Sequence, residues 1–397
     1  MRGQHSLIKR YKFLDGIRGL TALYVVVYHA FAEIASNSLF PLPQRLSSFF
    51  KPFMYGNLAV DIFIVLSGFC LMLPILSAIE NNKPYNWRTY FIRRSRRILP
   101  PYYAVWLLTM LLIVIVPGVT ATPGTDWSGD LKPFSPAVVI THALLLHNFH
   151  PIWQLNINYP LWSVATEWQI YFLLPLALLP IFRRWGLGGL FVLSTLAGVG
   201  LAGIDMIVGG RPWFIALFAY GMIAASLSNK SIKHPRGLAA VSALCWTLAW
   251  ILHWIYAAPS LFQIILEDCL IGISTAAALA LFAGSDEETS NRFSLVRFLN
   301  VQPLQRLGYF SYSIYLCHAP ILALVHMVTW RMHMHPTSEL IAQAFAAVPL
   351  SVFAAYLFHL AFERPFLRTR PLPAPEPNVE QSPLTEEPIQ SPAPAPP

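Results

Sequence analysis

Apolar residues run along this chain in blocks of about twenty, separated by short polar punctuation. A helix of that length spans about 30 Å, the thickness of a bilayer's hydrocarbon core, so each block reads as a membrane-crossing helix. The blocks fall at about 17–36, 56–79, 100–117, 161–182, 187–209, 212–228, 237–257, 260–284, 308–330 and 339–362. The third is expected to open at the Pro100-Pro101 pair, since proline suits the first position of a helix. Residues 136–148 are apolar but would reach only about 20 Å as a helix, which predicts a short re-entrant or interfacial segment. The fold class that follows is all-α, a polytopic membrane bundle of about ten transmembrane helices.

The polar intervals orient this array. Basic residues gather before the first block (Arg2, Lys9, Arg10, Lys12), after the second (Arg88, Arg93, Arg94, Arg96, Arg97), at Arg183-Arg184 and around Lys230–Arg236. All of these fall on one side of the predicted array, which the positive-inside rule assigns to the cytoplasm together with both termini. The N-terminal block is too long for a cleavable signal and contains Arg18, so it is expected to be retained. Beyond Arg370 the chain turns Pro- and Glu-rich, which predicts a membrane domain over 1–370 and a disordered cytoplasmic tail over 371–397.

Composition agrees with the pattern. The chain is 55% hydrophobic and 12% charged, about half the charged fraction of a soluble domain. Its net charge of +8 is explained by the basic intervals between helices, with no need for a nucleic-acid partner. Cys70, Cys245, Cys269 and Cys317 lie inside apolar blocks without CxxC spacing, so neither a disulfide framework nor a zinc ribbon is expected. His333 and His335 form a bare HxH, a poor metal signature, and no metal site is expected. Nucleotide-binding and serine-hydrolase fingerprints do not occur in a suitable context.

What stands out against the apolar background is ionisable. Arg18 and His29 are eleven residues apart in the first block, roughly 20° beyond three full helical turns, so they share a face about 16 Å apart along the axis. An arginine near one membrane surface and an imidazole deep on the same face point to an active site, because charged groups at such depth are costly and usually functional. A neutral imidazole there suits a general base for a hydroxyl, or a transient acyl carrier. Asp15 is an ordinary first-turn acid that can orient Arg18. Glu167, in Leu161-Trp162-Ser163-Val164-Ala165-Thr166-Glu167, lies at a depth compatible with His29 and is expected to orient it. Arg94 and Arg97, at i and i+3, share a face from which two guanidiniums can grip phosphates. Asp61, Trp162, Ser163 and His318 are candidates for contact with substrate, while Glu267-Asp268 reads as a buried structural pair. The same charges would serve a proton-coupled transporter or flippase of a lipid-linked sugar, and that alternative stays open on the residues alone.

Six stretches together resemble the acyltransferase-3 family of integral-membrane acyltransferases: LDGIRGLTALYVVVYHA, NLAVDIFIVLSGF, YFIRRSRRILPPYY, LWSVATEWQIYF, LGYFSYSIYLCHAPI and FERPF. Their order and spacing cover residues from about 10 to 366. The resemblance implies ten membrane helices and transfer of an acyl group, commonly acetyl, from cytoplasmic acyl-CoA to a hydroxyl of a sugar, glycolipid or surface polysaccharide. It implies that His29 is the catalytic histidine and Arg18 its partner in an Arg-x10-His motif. Arg94 and Arg97 match the family's Arg-x-x-Arg motif, anchored by Ile98-Leu99-Pro100. Glu167 matches the acid that follows Leu-Trp-Ser; Trp168 stands where many members carry a second acid. The implied setting is a bacterial inner membrane.

Overall fold

The structure is a computed structural model that describes residues 11–35, 48, 54–123, 135–229, 232, 234–255, 259–285 and 293–367. Among them every regular element is helical. The expected tail over 371–397 and the basic residues Arg2, Lys9 and Arg10 lie outside the described residues. The helices of six residues or more are α1 Lys12–Ala35, α2 Asn57–Glu80, α3 Trp87–Ile115, α4 Pro136–Ala143, α5 Leu161–Leu201, α6 Phe214–Ser228, α7 Pro235–Ile255, α8 Leu261–Gly284, α9 Ser294–Leu299, α10 Gln302–Tyr309, α11 Ser311–Arg331 and α12 Pro336–Leu367.

Seven of these are long and apolar enough to cross a bilayer: α2, α3, α5, α7, α8, α11 and α12. The expected count of about ten is therefore not reached on length and apolarity. The difference lies in three places. α1 carries Lys12, Asp15 and Arg18 in its opening turns. α6 is 15 residues, about 22 Å, shorter than a bilayer core. The predicted blocks at 161–182 and 187–209 fuse into α5, a 41-residue helical run. Gly186, at φ 64°, ψ −158°, breaks that run into two rods, a backbone conformation that a Cβ would strain.

A second departure concerns α3. It begins at Trp87, where the Asn86 side chain accepts a hydrogen bond from the Thr89 N–H at 2.9 Å. This N-cap, and not the proline pair, starts the helix. Pro100 and Pro101 sit inside it, removing only the bonds to the carbonyls of Arg96 and Arg97. The whole arginine cluster is consequently helical and rigidly phased against the bundle.

The interior is built on close backbone contact. A Cβ added at Gly68 of α2 would lie 2.0 Å from the Phe218 carbonyl oxygen, and one at Gly221 of α6 would lie 2.0 Å from that of Val65. Small residues on facing helices let backbones touch, which is how helices associate where no hydrophobic effect separates protein from lipid. Phe69, Met72, Ile75, Phe214 and Phe218 fill the space around that crossing and are fully buried. α7, in contrast, leaves Leu244, Trp246, Leu248, Ile251, Trp254 and Ile255 exposed, an apolar face suited to lipid.

α1 and α2 run antiparallel. The Arg18 guanidinium reaches Cys70 Sγ at 3.0 Å, whereas the Tyr24 hydroxyl donates to the Tyr55 carbonyl at 3.1 Å. This defines a basic end of the bundle, with Arg18 and the α3 arginines, and an opposite end, with Tyr55, Asp61 and the start of α5. Residues 136–160 form short pieces too brief to cross: α4, two single turns of 3-10 helix and a loop. They are tied to α3 by Tyr102 and Tyr103, whose hydroxyls donate to the carbonyls of His142 (2.8 Å) and Ala143 (2.7 Å).

Candidate active site

At the basic end, α1, α2, α3, α5 and α11 enclose a cavity of about 170 Å³. Arg18, Arg94, Arg97, Glu167 and Ser163 all line it, with Ser67 and Cys70 from α2 and Tyr171, Tyr312 and Tyr315 completing the polar wall. Five residues chosen on sequence grounds from three distant stretches thus share one space. Arg93 faces a neighbouring groove with Arg94.

Two of these charges have fixed partners. Arg18 donates to Asp15 at 3.1 Å, one turn back on α1, and to Cys70. Glu167 accepts from the hydroxyls of Ser67 and Tyr171. Because both donors come from the same cavity wall, Glu167 is braced there. It makes no hydrogen bond to His29, so the expected orientation of His29 by this acid is not what the structure contains. The depth argument fixed how far along the helices the two residues lie, but not the direction in which each faces.

His29 stands beyond the far end of the cavity. Its ring packs on Tyr159 (centroids 4.6 Å apart) and on His318 (5.2 Å). His318 in turn lies 5.8 Å from the ring of Tyr315. Tyr315 closes the cavity by a 2.6 Å hydrogen bond with Ser163. The Ser163 hydroxyl is already turned to the Pro160 carbonyl at 3.2 Å, so Tyr315 is the donor. The order from the basic end is therefore arginines, Glu167, the Ser163–Tyr315 gate, His318 and His29.

Asp61 and Trp162 belong to a second cluster at the opposite end. Asp61 is fully buried and interacts with Asp268 of α8. Asp268 Oδ2 accepts from Trp213 Nε1 at 2.8 Å and pairs with Arg211 at 3.5 Å. The Arg211 guanidinium lies 4.7 Å over the Trp162 ring. Glu267 pairs with His253 at 3.5 Å, and His253 stacks on Tyr55 at 4.5 Å. Arg211 escaped the sequence reading because it sits in a Gly209-Gly210-Arg211-Pro212 loop without periodicity. The one available signal was those two glycines. Arg211 itself is held at φ 49°, a conformation rare for residues with a side chain. The loop is pinned by Thr166, the residue before Glu167, whose hydroxyl meets the Gly210 carbonyl at 3.1 Å.

Glu363 of the FERPF stretch lies outside the cavity lining. It accepts from Ser313 and meets His359 Nδ1 at 2.8 Å across a π-helical turn, which fastens α12 to α11. Among the described residues no group of three or more His, Cys, Asp or Glu side chains is arranged to hold a metal ion.

The chain is 25% identical over 346 residues to the peptidoglycan O-acetyltransferase OatA of Listeria monocytogenes, covering 78% of this chain and 49% of that protein. It is 26% identical to the putative peptidoglycan O-acetyltransferase YrhL of Bacillus subtilis, covering 78% and 48%. The acyltransferase MdmB of Streptomyces mycarofaciens is 24% identical over 95% of this chain and 98% of its own length. The chain thus spans about half the length of the first two relatives and nearly all of the third. No solved structure matches it. The acyltransferase-domain family model matches residues 11–360, a stretch that takes in both the arginine-lined cavity and His29, and the chain accordingly belongs to the acyltransferase-3 family of integral membrane proteins.

Proposed function

We propose that this protein is an O-acyltransferase that moves an acyl group, most simply acetyl, from acyl-CoA to a hydroxyl of a cell-surface glycan or glycoside. The observation that carries the reading is the single cavity shared by Arg18, Arg94, Arg97 and Glu167, ending at the Ser163–Tyr315 gate next to His318 and His29. Three guanidiniums facing one carboxylate leave excess positive charge on an open space, and guanidiniums match phosphate oxygens in charge and geometry. A space of this size admits a slender acyl-thioester arm and not a nucleotide. The phosphates of the donor would therefore stay at the arginine end while its thioester extends toward the gate.

His29 then acts on the acceptor hydroxyl. As the hydroxyl oxygen attacks the thioester carbon, His29 takes its proton; the carbon–sulfur bond breaks, and the proton passes to the departing thiolate. Transfer through an acyl-imidazole on His29 balances equally well. In this reading Arg18, Arg94 and Arg97 hold the donor, Glu167 braces the cavity wall through Ser67 and Tyr171, and the cluster of Asp61, Asp268, Arg211 and Trp162 faces the acceptor side. On the same reading the basic end and both termini face the cytoplasm of a bacterial inner membrane, a placement the positive-inside rule supports. The relatives support an acetyl donor and a polysaccharide acceptor, since two of them are named for peptidoglycan O-acetylation.

Labelled acetyl-CoA supplied to the purified protein in nanodiscs tests the proposal. Wild type should release free CoA, and His29→Ala should abolish release with unchanged thermal unfolding. Turnover retained by His29→Ala would refute the assignment, and substrate movement without thioester cleavage would favour a transporter.

A further inference from the structure

Beside the arginine-lined cavity, where α2 ends and α3 begins, lies a groove of about 220 Å³. Arg94, Cys70 and Leu71 line both spaces. The cavity's own 170 Å³ falls below the roughly 300–1,000 Å³ typical of small-molecule sites, whereas the two spaces together come within that range. The wall between them is firmly held. The Tyr90 hydroxyl, on the groove side, donates at 3.1 Å to the carbonyl of Tyr171, whose own hydroxyl braces Glu167 in the cavity.

The arginines are graded along this path. Arg97 lines the cavity alone, Arg94 lines both spaces, and Arg93 lines the groove alone. Among the described residues neither Arg93 nor Arg94 has an ion-pair or hydrogen-bond partner, so their charge is open to a ligand. Nor does any carboxylate appear among the described residues that line the groove. The Tyr85 hydroxyl lies within electrostatic reach of both guanidiniums. Its half-buried ring stands edge-on to Trp87 at 4.9 Å, and Leu71 and Pro74 add apolar surface. Unpaired guanidiniums beside an aromatic ring and apolar side chains suit a ligand that carries both phosphate and a planar base.

We propose that this groove holds the nucleotide end of the acyl donor, with Arg94 at its diphosphate, Arg93 at the ribose 3′-phosphate and Tyr85 against its base. The inference rests on the acyl-transfer reading for the identity of the donor, and on the groove for where the bulky end of that donor goes. It accounts for the narrowness of the cavity, which then has to admit only the thioester arm. It also makes Arg93 a discriminating residue. An acyl group carried on phosphopantetheine alone would still enter the cavity, but would leave the groove empty.

Truncated ligands test this without turnover. Isothermal titration calorimetry on the purified protein in phosphatidylcholine nanodiscs compares CoA, 3′-dephospho-CoA and 4′-phosphopantetheine. Wild type should bind CoA most tightly and 4′-phosphopantetheine least. Arg93→Gln, a change at an exposed and unpartnered side chain, should weaken CoA about 10- to 100-fold and leave both truncated ligands within about twofold of wild type. Tyr85→Ala should weaken CoA and 3′-dephospho-CoA alike, by about tenfold, and spare 4′-phosphopantetheine. Equal losses for all three ligands in Arg93→Gln, or none, would overturn the proposal, as would wild-type CoA affinity in Tyr85→Ala. Phosphatidylglycerol added to the nanodiscs should leave the wild-type preference for CoA in place; if that preference disappears, a lipid phosphate occupies the groove and the proposal falls. Wild type that discriminates as expected but releases no CoA from acetyl-CoA would refute the acyl-transfer reading and leave the subsite standing. Release of CoA without discrimination would refute the subsite alone.

Discussion

The two ends of the bundle hold comparable numbers of ionisable groups but use them oppositely. At the basic end three arginines line an open cavity with one carboxylate, itself satisfied by two hydroxyls. At the opposite end three acids, Asp61, Glu267 and Asp268, are all buried; Asp268 pairs with Arg211 and Glu267 with His253. Open excess charge is a property waiting for a ligand of opposite sign. Buried excess charge must be neutralised by its own neighbours or by whatever binds there. The same residue types thus produce a binding surface at one end and an internally balanced cluster at the other.

The sharpest way to break this contrast is to discharge the basic end. Replacing Arg94 and Arg97 together by Gln removes two charge-assisted contacts, each worth about 1.5–3 kcal/mol, so the KM for acetyl-CoA should rise by roughly 10²–10⁴. Among the described residues neither arginine has a structural partner of the kind that Asp15 provides for Arg18, so thermal unfolding should be unchanged. A donor KM within threefold of wild type would show that the cavity does not hold the phosphates.

The opposite end should respond in stability, and with two signs. Asp268→Ala strips the partner from both Arg211 and Trp213 Nε1, which should destabilise the protein by about 3 kcal/mol in thermal or denaturant unfolding. Asp61→Asn should instead raise stability by about 1 kcal/mol. The buried oxygens of Asp61 and Asp268 Oδ1 have no hydrogen-bond partner among the described residues, and an amide at position 61 supplies a donor. If both substitutions destabilise equally, Asp61 and Asp268 are not opposed as described, and the cluster is balanced by something else.

How much of this was legible in the sequence divides along the same line. The cavity residues were readable because helical periodicity places Arg94 with Arg97, and because isolated charges in apolar blocks draw attention wherever they fall. Pairings between helices were not readable. Glu167 lies at the expected depth, yet it faces Ser67 and Tyr171, a matter of helix rotation that no linear pattern encodes. Arg211 was invisible because its placement depends on an unusual backbone angle in a glycine loop. Pro100-Pro101 misled because a strong start signal at Asn86 lay fourteen residues upstream, outside the apolar block that defined the predicted span.

The smallest expected effect is a pH response that should loosen the opposite end before the basic one. His142 and His147 lie in the non-crossing segment that carries Tyr159 toward His29, and their rings stack at 3.8 Å. Burial pushes His142 down to about 4, despite the backbone carbonyls of Val138 and Asn156, which pull the other way, and it holds His147 well below the usual histidine range. Unfolded, both return to about 6.5, so the unfolded chain binds protons that the folded one refuses. Stability is therefore full above pH 6.5 and falls as the pH drops towards 4, with His142 alone contributing a loss of about 1 kcal/mol by pH 5.5. Hydrogen exchange at pH 7.5 and 5.5, corrected for intrinsic rates, should show the acid-induced gain concentrated in residues 136–160, with α2 and α6 unchanged. Replacing His142 by Gln, which keeps a polar group without a proton to gain, should abolish about half of that gain, the rest belonging to His147; an identical pH response in the variant would place the titrating group elsewhere.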